Sequence, residues 1–500
     1  MRAIAVFSPT CGAGKSWFAT ALCRWLTRED WNVTPFQAQA DISQGYTIDH
    51  NVTVSHSVAW QAWAARVKAT AMLNPVILKP SDGPSLQYQL FIQGRGIGTV
   101  SRSDYYQNYY GIAKPLIQEC LDKLYKSAHN LMVFDTYRYG LYNPFLSDTD
   151  ENFELLKSSS FHPAGVIIID CRQGGALNQL CGFWERLAAE NRKLIRGVIF
   201  NQWEGDRRIS DIQNRWVQEH LNLPVLGHLP SLTSQYFHPE SPLTFDINSR
   251  HSPQNRLKIV ILRLPHLAHH TDLDPLESEP SVELSYFDPA NPLGYPDAVI
   301  IPHTSEAIAD LDYLHKYKFH TQLQNYAAAG GTILGLCNGA AMLGKQVNQK
   351  ALTVNVPPVE QPGLSLLPTK SEFRGTSQQA EPLQTLSETL FENLPIRGEV
   401  YRYSKNSVLN RDIVAQLFQE LDAGLINQGR NIWAINFHGL FNNGPWRRFW
   451  LNQLRQKRGL SSLATGIADF TERREVIIDN LANHIDQHVE LAPLLTDYDY

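Results

Sequence analysis

The feature that most constrains the fold is a glycine-containing loop placed between an apolar run and a helical pattern. The apolar run covers residues 4–7, the loop covers residues 8–16 and reads SPTCGAGKS, and the helical pattern covers residues 16–27. A strand, a loop and a helix in that order are the context that a phosphate-binding loop requires. The sequence therefore predicts a nucleotide-binding α/β domain in the first half of the chain.

Four residues of this loop are the candidates for contact with a nucleotide: Gly12, Gly14, Lys15 and Ser16. Backbone N–H groups at the helix N-terminus would bind phosphate oxygens, Lys15 would add a positive charge, and the Ser16 hydroxyl would ligate Mg²⁺. Pro9 stands where the full pattern has glycine, and proline removes one N–H donor. The loop alone leaves two interpretations open, a nucleotide site and an inherited structural turn.

Acidic residues follow two strand-like runs of the first half. Asp135 comes directly after the run 131–134, and Asp170 comes directly after the run 166–169. Carboxylates at the C-terminal ends of parallel strands lie beside the phosphate loop, and they are natural ligands for Mg²⁺. Asp135 is the candidate that we combine with Ser16 as a magnesium site, and Asp41 is a weaker third carboxylate. Each of them alone could instead cap a helix.

Short apolar runs alternate with amphipathic helical stretches in both halves of the chain, and this pattern is typical of parallel sheets covered by helices. We predict an α/β fold with two doubly wound parallel-sheet domains, the first of them P-loop NTPase-like. The first domain covers residues 1–235 and binds the nucleotide. A linker rich in Ser, Pro, His and Asn covers 236–255, the second domain covers 256–445, and a helical C-terminal tail covers 446–500.

Composition excludes several classes of protein. A length of 500 residues suits two or three domains, and 43% hydrophobic with 19% charged residues is typical of a soluble globular protein. The formal net charge is -5 without a long basic block, so we expect no nucleic-acid partner. No apolar run reaches the length of a membrane span. Six cysteines without regular spacing indicate a reducing compartment, which predicts a cytoplasmic location.

A cysteine lies between a strand-like run and a helical stretch in the second half. Cys337 is flanked by glycines in the sequence GLCNG over residues 335–339. A residue at such a strand-to-helix elbow is exposed, and a helix N-terminus lowers the pKa of a thiol. We therefore predict that Cys337 is a nucleophile and that His438, which follows another apolar run in the same domain, is its base. A buried structural cysteine and a structural histidine are the alternatives.

A loop over residues 266–274 holds three histidines and two aspartates, in the sequence HLAHHTDLD. Such residues can ligate metals, but their spacing fits no standard zinc pattern. Pro265 and Pro275 frame the segment, so we interpret it as a connecting loop at the start of the second domain.

In their order along the chain these motifs resemble those of the cobyric acid synthase family. That family joins a dethiobiotin-synthetase-like ATP domain to a class I glutamine amidotransferase-like domain of the Cys–His type. The resemblance runs over most of the chain and shows in the segments AGKS (13–16), NPVILKP (74–80), VLG (225–227), TDLDPL (271–276), PDAVIIP (296–302), GLC (335–337) and HGLF (438–441).

The resemblance implies an activity as well as a fold. Glutamine would bind the second domain, where Cys337 attacks its amide and His438 moves protons. Ammonia would pass to the first domain, where MgATP phosphorylates substrate carboxylates and ammonia displaces the phosphate to form amides. The implied acceptor is a corrinoid of cobalamin biosynthesis, adenosylcobyrinic acid a,c-diamide, which is amidated at four side chains.

Several positions depart from the family pattern at these sites. The segment that begins at Asp170 reads DCRQGG, whereas the family has DIDRGG. The segment that begins at Cys337 reads CNGAA, whereas the family has CGGFQ. Ala341 therefore replaces a glutamine that is expected to line the glutamine pocket. His303 replaces a glycine near the expected oxyanion hole. Two alternatives follow: a catalytically weakened relative that binds a nucleotide or corrinoid or acts as a regulatory protein, and an amidotransferase for a different carboxylate.

Overall fold

The computed structural model describes most of the chain in two compact units. The first comprises Met1–Ser249 with Arg474–Tyr500, and the second comprises Arg250–Arg473. The described residues are 2–10, 12–42, 45–49, 52–80, 87–127, 129–136, 155, 162–172, 174–232, 256–267, 270–349, 359–373, 384–387, 395–398, 404–419 and 423–496. The predicted linker, 236–255, lies outside them.

The first unit is built on a parallel sheet whose strand order is β12-β11-β10-β1-β9-β2. A second sheet has the order β3-β6-β7-β8, and β4 pairs with β5. The strands are β1 (Arg2–Phe7), β2 (Val33–Phe36), β3 (Gln39–Asp41), β4 (Gly45–Asp49), β5 (Val52–Ser55), β6 (Val76–Pro80), β7 (Gln87–Ile92), β8 (Arg95–Ser101), β9 (Leu131–Asp135), β10 (His162–Asp170), β11 (Ile195–Trp203) and β12 (Val225–Pro230).

Helices cover the main sheet of this unit, as the alternating sequence pattern predicts. They are α1 (Lys15–Arg28), α2 (His56–Ala64), α3 (Arg102–Asp104), α4 (Tyr110–Tyr125), α5 (Ala176–Arg186), α6 (Ala189–Arg192) and α7 (Arg207–Leu221). The inner strands β1 and β9 are almost fully buried. Because β9 and β10 flank β1, their C-terminal ends meet the phosphate loop at one edge of the sheet.

The second unit has a seven-stranded sheet in the order β14-β13-β15-β16-β25-β24-β23. Its strands are β13 (Leu257–Leu262), β14 (Val282–Phe287), β15 (Ala298–Ile301), β16 (Thr332–Leu336), β23 (Val414–Gln416), β24 (Gly424–Asn427) and β25 (Ile432–Ile435). The first four and β25 run parallel, whereas β24 and β23 add an antiparallel edge that the sequence pattern did not predict. The predicted fold class, two α/β parallel-sheet domains, is confirmed.

The remaining elements of the second unit surround this sheet. The helices are α8 (Asp274–Glu277), α9 (Ala307–Lys316), α10 (Phe319–Ala328), α11 (Asn338–Met342) and α12 (Gly444–Lys457). The described parts of residues 350–410 contain strands. These and the preceding strand are β17 (Gln346–Gln349), β18 (Val359–Pro362), β19 (Thr369–Phe373), β20 (Gln384–Ser387), β21 (Pro395–Gly398) and β22 (Ser404–Val408).

The predicted C-terminal tail, 446–500, is divided between the units instead of forming a separate body. Trp446, Trp450 and Leu454 of α12 are buried in the core of the second unit. Burying side chains of this size stabilises a fold by about 1.5–3 kcal/mol each. The last α-helix of the described residues is α13 (Phe470–His488), and its later part belongs to the first unit, where Glu475 binds the buried Arg24.

Within the described part of the chain, no helix has the combination of length and apolar character that crossing a bilayer demands.

Candidate functional site

Cys337 stands on a sharp turn between β16 and α11, as the sequence predicts. Its φ is 50° and its ψ is −112°, a strained conformation that non-glycine residues rarely adopt. The backbone N–H of Cys337 donates to the carbonyl of Ile435 at 2.6 Å, which ties the turn to β25. At Gly339 a Cβ atom would lie 2.3 Å from the carbonyl oxygen of Ile301, so the helix can pass this close only without a side chain.

Three buried side chains form a hydrogen-bonded chain at this turn. The Sγ atom of Cys337 lies 3.4 Å from Nε2 of His438, and Nδ1 of His438 lies 2.6 Å from Oδ2 of Asp272. Because a carboxylate only accepts hydrogen bonds, Nδ1 carries the proton and Nε2 faces the thiol. The other carboxylate oxygen of Asp272 accepts from the N–H of Gly439 at 2.8 Å. A nucleophile, a base and a carboxylate that orients the base are thus in place.

Asp272 is the functional residue that sequence reasoning missed. It belongs to the loop over residues 266–274, which we interpreted as a connecting loop. The segment TDLDPL (271–276) was part of the family resemblance, and that was the only signal for it in the sequence. Asp272 and His438 are 166 positions apart, and they meet because β13 and β25 end at the same edge of the sheet.

The electrostatics of the Cys337–His438 pair differ from the expected effect of a helix N-terminus. Burial raises the pKa of the Cys337 thiol, and the opposing effect of His438 does not offset it. Burial by itself lowers the pKa of His438, but Cys337 and Asp272 raise it well above its usual value. Since α11 is short and Cys337 is only 5% exposed, desolvation outweighs the helix dipole. The thiolate is therefore less favoured than the sequence led us to expect.

The raised pKa predicts an alkaline pH dependence for modification of Cys337. Only the thiolate reacts, so alkylation by iodoacetamide should accelerate as the pH rises through and beyond the usual pKa of a thiol. The measurement is the rate of modification of the Cys337 peptide by mass spectrometry across a pH series, with Cys337→Ser as the blank. A rate that is already constant around neutral pH would show that His438 holds the thiol ionised despite its burial.

His303, which stands where the family pattern has a glycine, lies beside the nucleophile. Its ring packs edge-to-face on His438, with a centroid distance of 5.0 Å. The N–H of Asn338 donates to Nδ1 of His303 at 3.4 Å. The N–H of the residue after a nucleophile is a usual oxyanion-hole donor, so His303 occupies the position in which that donor would meet a substrate oxygen.

The described residues of the phosphate loop lie between β1 and α1, the order of elements that the sequence predicts. Gly12 and Gly14 have φ values of 72° and 101°, and α1 begins at Lys15 without a side-chain cap. A Cβ atom on Gly14 would lie 2.3 Å from Nδ2 of Asn201, and this amide donates to the carbonyl of Ala13 at 2.7 Å. Asn201 thus fixes the loop, which leads into the N-terminus of α1, the end of a helix at which N–H groups lack intrahelical partners and can bind anions.

The three candidate carboxylates of this unit have different partners. Asp41 forms an ion pair with Arg102. Asp170 is held by the guanidinium of Arg172, which donates to both carboxylate oxygens at 2.7–3.2 Å and also to the carbonyl of Gly12 at 2.9 Å. Of the three, Asp135 is the one with a buried oxygen that has no hydrogen-bond partner among the described residues.

Asp135 is fully buried at the C-terminal end of β9. Its Oδ2 atom accepts from Nε2 of Gln61 at 2.9 Å, whereas Oδ1 has no hydrogen-bond partner among the described residues. Burial raises the pKa of this carboxyl, and Lys15, Ser16 and Gln61 act in the opposite direction. A buried carboxylate oxygen without a partner, beside the Ser16 hydroxyl, offers the oxygen ligands that Mg²⁺ prefers.

Comparison with protein families matches both units. Residues 4–241 match a family described as the CobQ/CobB/MinD/ParA nucleotide binding domain. Residues 258–446 match a family described as the CobB/CobQ-like glutamine amidotransferase domain.

Curated relatives match almost the entire chain. The cobyric acid synthase of Nostoc punctiforme is 37% identical over 508 residues, which cover 99% of this chain and 100% of the relative. The cobyric acid synthase of Trichormus variabilis is 36% identical over 502 residues, which cover 99% of this chain and 100% of that relative. Among solved structures, one match is the crystal structure of a glutamine amidotransferase with 18% sequence identity and a TM-score of 0.30. The match covers 39% of this chain and 98% of the amidotransferase chain.

Proposed function

The chain belongs to the cobyric acid synthase family, and from that premise we propose that Cys337 hydrolyses glutamine while the loop around Lys15 binds ATP. Members of this family are glutamine-dependent amide-forming enzymes of cobalamin biosynthesis, so glutamine and a corrinoid are the substrates. The observation that carries the assignment of the glutamine site is the buried chain of Cys337, His438 and Asp272. No comparison supports the alternative of a non-catalytic binding or regulatory protein.

In the glutaminase reaction the Cys337 sulfur attacks the side-chain carbonyl of glutamine, and Nε2 of His438 takes the thiol proton. Asp272 stabilises the imidazolium that forms, because its carboxylate accepts from Nδ1 at 2.6 Å. His438 then gives the proton to the leaving amide nitrogen, so ammonia departs and a thioester is left on Cys337. Water, deprotonated by His438, releases glutamate and restores the thiol.

In the synthetase reaction the first unit binds ATP through the N–H groups of its loop and the charge of Lys15. We assign Ser16 and Asp135 as the residues that would hold Mg²⁺, which would neutralise phosphate charge. The corrinoid carboxylate attacks the γ-phosphate of ATP and releases ADP, and ammonia then attacks the acyl phosphate and displaces inorganic phosphate to give an amide. We propose adenosylcobyrinic acid a,c-diamide as the acceptor and the cytoplasm as the location.

The proposed function is tested by incubating purified protein with glutamine, MgATP and adenosylcobyrinic acid a,c-diamide. Mass spectrometry of the corrinoid should show stepwise replacement of carboxylates by amides. Lys15→Ala should stop the reaction, because it removes the charged side chain that meets the phosphates. An unchanged corrinoid in the presence of active glutaminase would refute the proposed acceptor, and amidation by Lys15→Ala at the wild-type rate would refute the ATP site.

The magnesium assignment makes a separate prediction for Asp135. Asp135→Asn should raise the Mg²⁺ concentration needed for half-maximal ATP hydrolysis roughly 10–100-fold, the usual cost of losing a partner around a metal. The control is Asp122→Asn, which changes an exposed carboxylate on α4. The same Mg²⁺ titration for Asp135→Asn and wild type would instead make Asp135 a structural partner of Gln61.

A further inference from the structure

We propose that His303, Cys337 and His438 form a binding site for a thiophilic divalent transition metal of the zinc class. The ion would bind reversibly and exclude glutamine from the thiol. Metal binding itself is independent of the proposed function, whereas the exclusion of glutamine rests on the proposed glutaminase function.

The geometry of the three side chains suits a tetrahedral ion. One ligand atom from each residue lies within 4.8 Å of the other two, and all three residues are buried. Zinc binds thiolate sulfur at about 2.3 Å and imidazole nitrogen at about 2.0–2.1 Å, which places tetrahedral ligand atoms roughly 3.4–3.6 Å apart. The sulfur of Cys337 and Nε2 of His438 are already 3.4 Å apart, so a small movement of His303 closes the site.

The surroundings of His438 match those of a metal-bound histidine. Metal-ligating histidines usually donate their second ring N–H to a carboxylate, which fixes the ring and increases the basicity of the ligating nitrogen. Asp272 accepts from Nδ1 at 2.6 Å, so Nε2 is directed at the sulfur and at a bound ion. Binding releases the thiol proton to solvent, because the ligand is the thiolate.

His303 is the residue that distinguishes this site from an ordinary Cys–His pair. A thiolate and one imidazole offer two ligands, whereas structural and catalytic zinc sites use three or four protein ligands. The second imidazole, which packs on His438 at a centroid distance of 5.0 Å, supplies the third ligand. The fourth position is left for water. Because the thiolate sulfur donates its electrons to the ion, it is not available to attack glutamine.

The test of metal binding is a titration of the reduced, nucleotide-free protein with Co²⁺ and Zn²⁺. Co²⁺ should bind one ion per chain with a thiolate-to-metal charge-transfer absorption, which Zn²⁺ removes by displacement. His303→Gly, which restores the family residue, should weaken binding at least about 10-fold, since even partners outside the ligand shell change metal affinity 10–100-fold. Cys337→Ser should abolish the absorption. The control is His320→Gln on α10, a histidine of the same unit outside the cluster, and it should bind like wild type.

Equal Co²⁺ affinity of wild type and His303→Gly, or an absorption that persists in Cys337→Ser, would overturn the proposal. His303→Gln serves as a second variant, because its amide keeps a polar side chain in the loop but replaces the imidazole. A glutaminase assay completes the test: Zn²⁺ should inhibit wild type at a concentration at least about 10-fold below that needed for His303→Gly. Co²⁺ binding without any glutaminase activity would refute the proposed function but support the metal site.

Discussion

Cys337→Ser is expected to abolish glutamine-dependent amidation and to leave ammonia-dependent amidation intact. Loss of a nucleophile from a catalytic chain of this type lowers turnover on the order of 10⁴-fold or more. A serine hydroxyl ionises far less readily than a thiol and is the weaker nucleophile, so the attack on the glutamine amide is lost. The measurement compares amide formation with glutamine and with ammonium chloride as nitrogen source, at the same ATP and acceptor concentrations.

The matched control for this experiment is Cys181→Ser, which changes a partly exposed cysteine of the first unit. It should retain both activities. If Cys337→Ser kept glutamine-dependent activity, the nucleophile would lie elsewhere. If it lost ammonia-dependent activity as well, Cys337 would be needed for more than glutamine hydrolysis.

Asp272→Asn is expected to lower the rate of glutamine hydrolysis by about 10²–10⁴-fold. The upper end of this range is the loss seen when the aspartate of a catalytic triad becomes an amide. The amide keeps the size of the side chain, but it cannot stabilise the imidazolium of His438. Because Asp272 raises the pKa of His438, the substitution should also shift the acid limb of the pH–rate profile to lower pH. Ammonia-dependent amidation should not change, since Asp272 belongs to the proposed glutaminase site in the second unit.

The pH profile distinguishes a positioning role from a purely structural one. A structural defect would lower the rate at every pH and would reduce thermal stability, whereas the loss of an orienting carboxylate moves the profile. Asp312→Asn, an exposed carboxylate of the same unit, is the control and should behave like wild type. An Asp272→Asn profile with the wild-type shape would contradict the positioning role.

The fold was predictable because its two main sheets follow simple chain patterns. Buried parallel strands such as β1 and β16 are short apolar runs, and each is followed by a loop and a helix. In such sheets, residues just after the strands meet at one edge, so Cys337 and His438 could be expected together from the sequence alone. The antiparallel strands β23 and β24 were not predicted, because short half-buried strands leave little periodicity.

The partners of the site residues could not be predicted in the same way. Asp272 reaches His438 from a loop whose course is not encoded by periodicity. Arg172 binds Asp170, whereas comparison with the family motif DIDRGG shows only that Arg172 replaces the second aspartate of that motif. His303 could be singled out in the sequence because it replaces a glycine of the family pattern. Its contacts with Asn338 and His438 depend on the path of the loop after β15, which only the structure provides.

The central claim is that glutamine nitrogen, freed at Cys337, becomes the amide nitrogen of a corrinoid at the expense of ATP. Incubation of the protein with glutamine labelled with ¹⁵N in its side-chain amide, MgATP and adenosylcobyrinic acid a,c-diamide tests it most directly. The account predicts ¹⁵N in the new corrinoid amides with wild type, and no label with Cys337→Ser unless labelled ammonia is added. A corrinoid that gains no label from glutamine, although labelled ammonia is incorporated, would contradict the account.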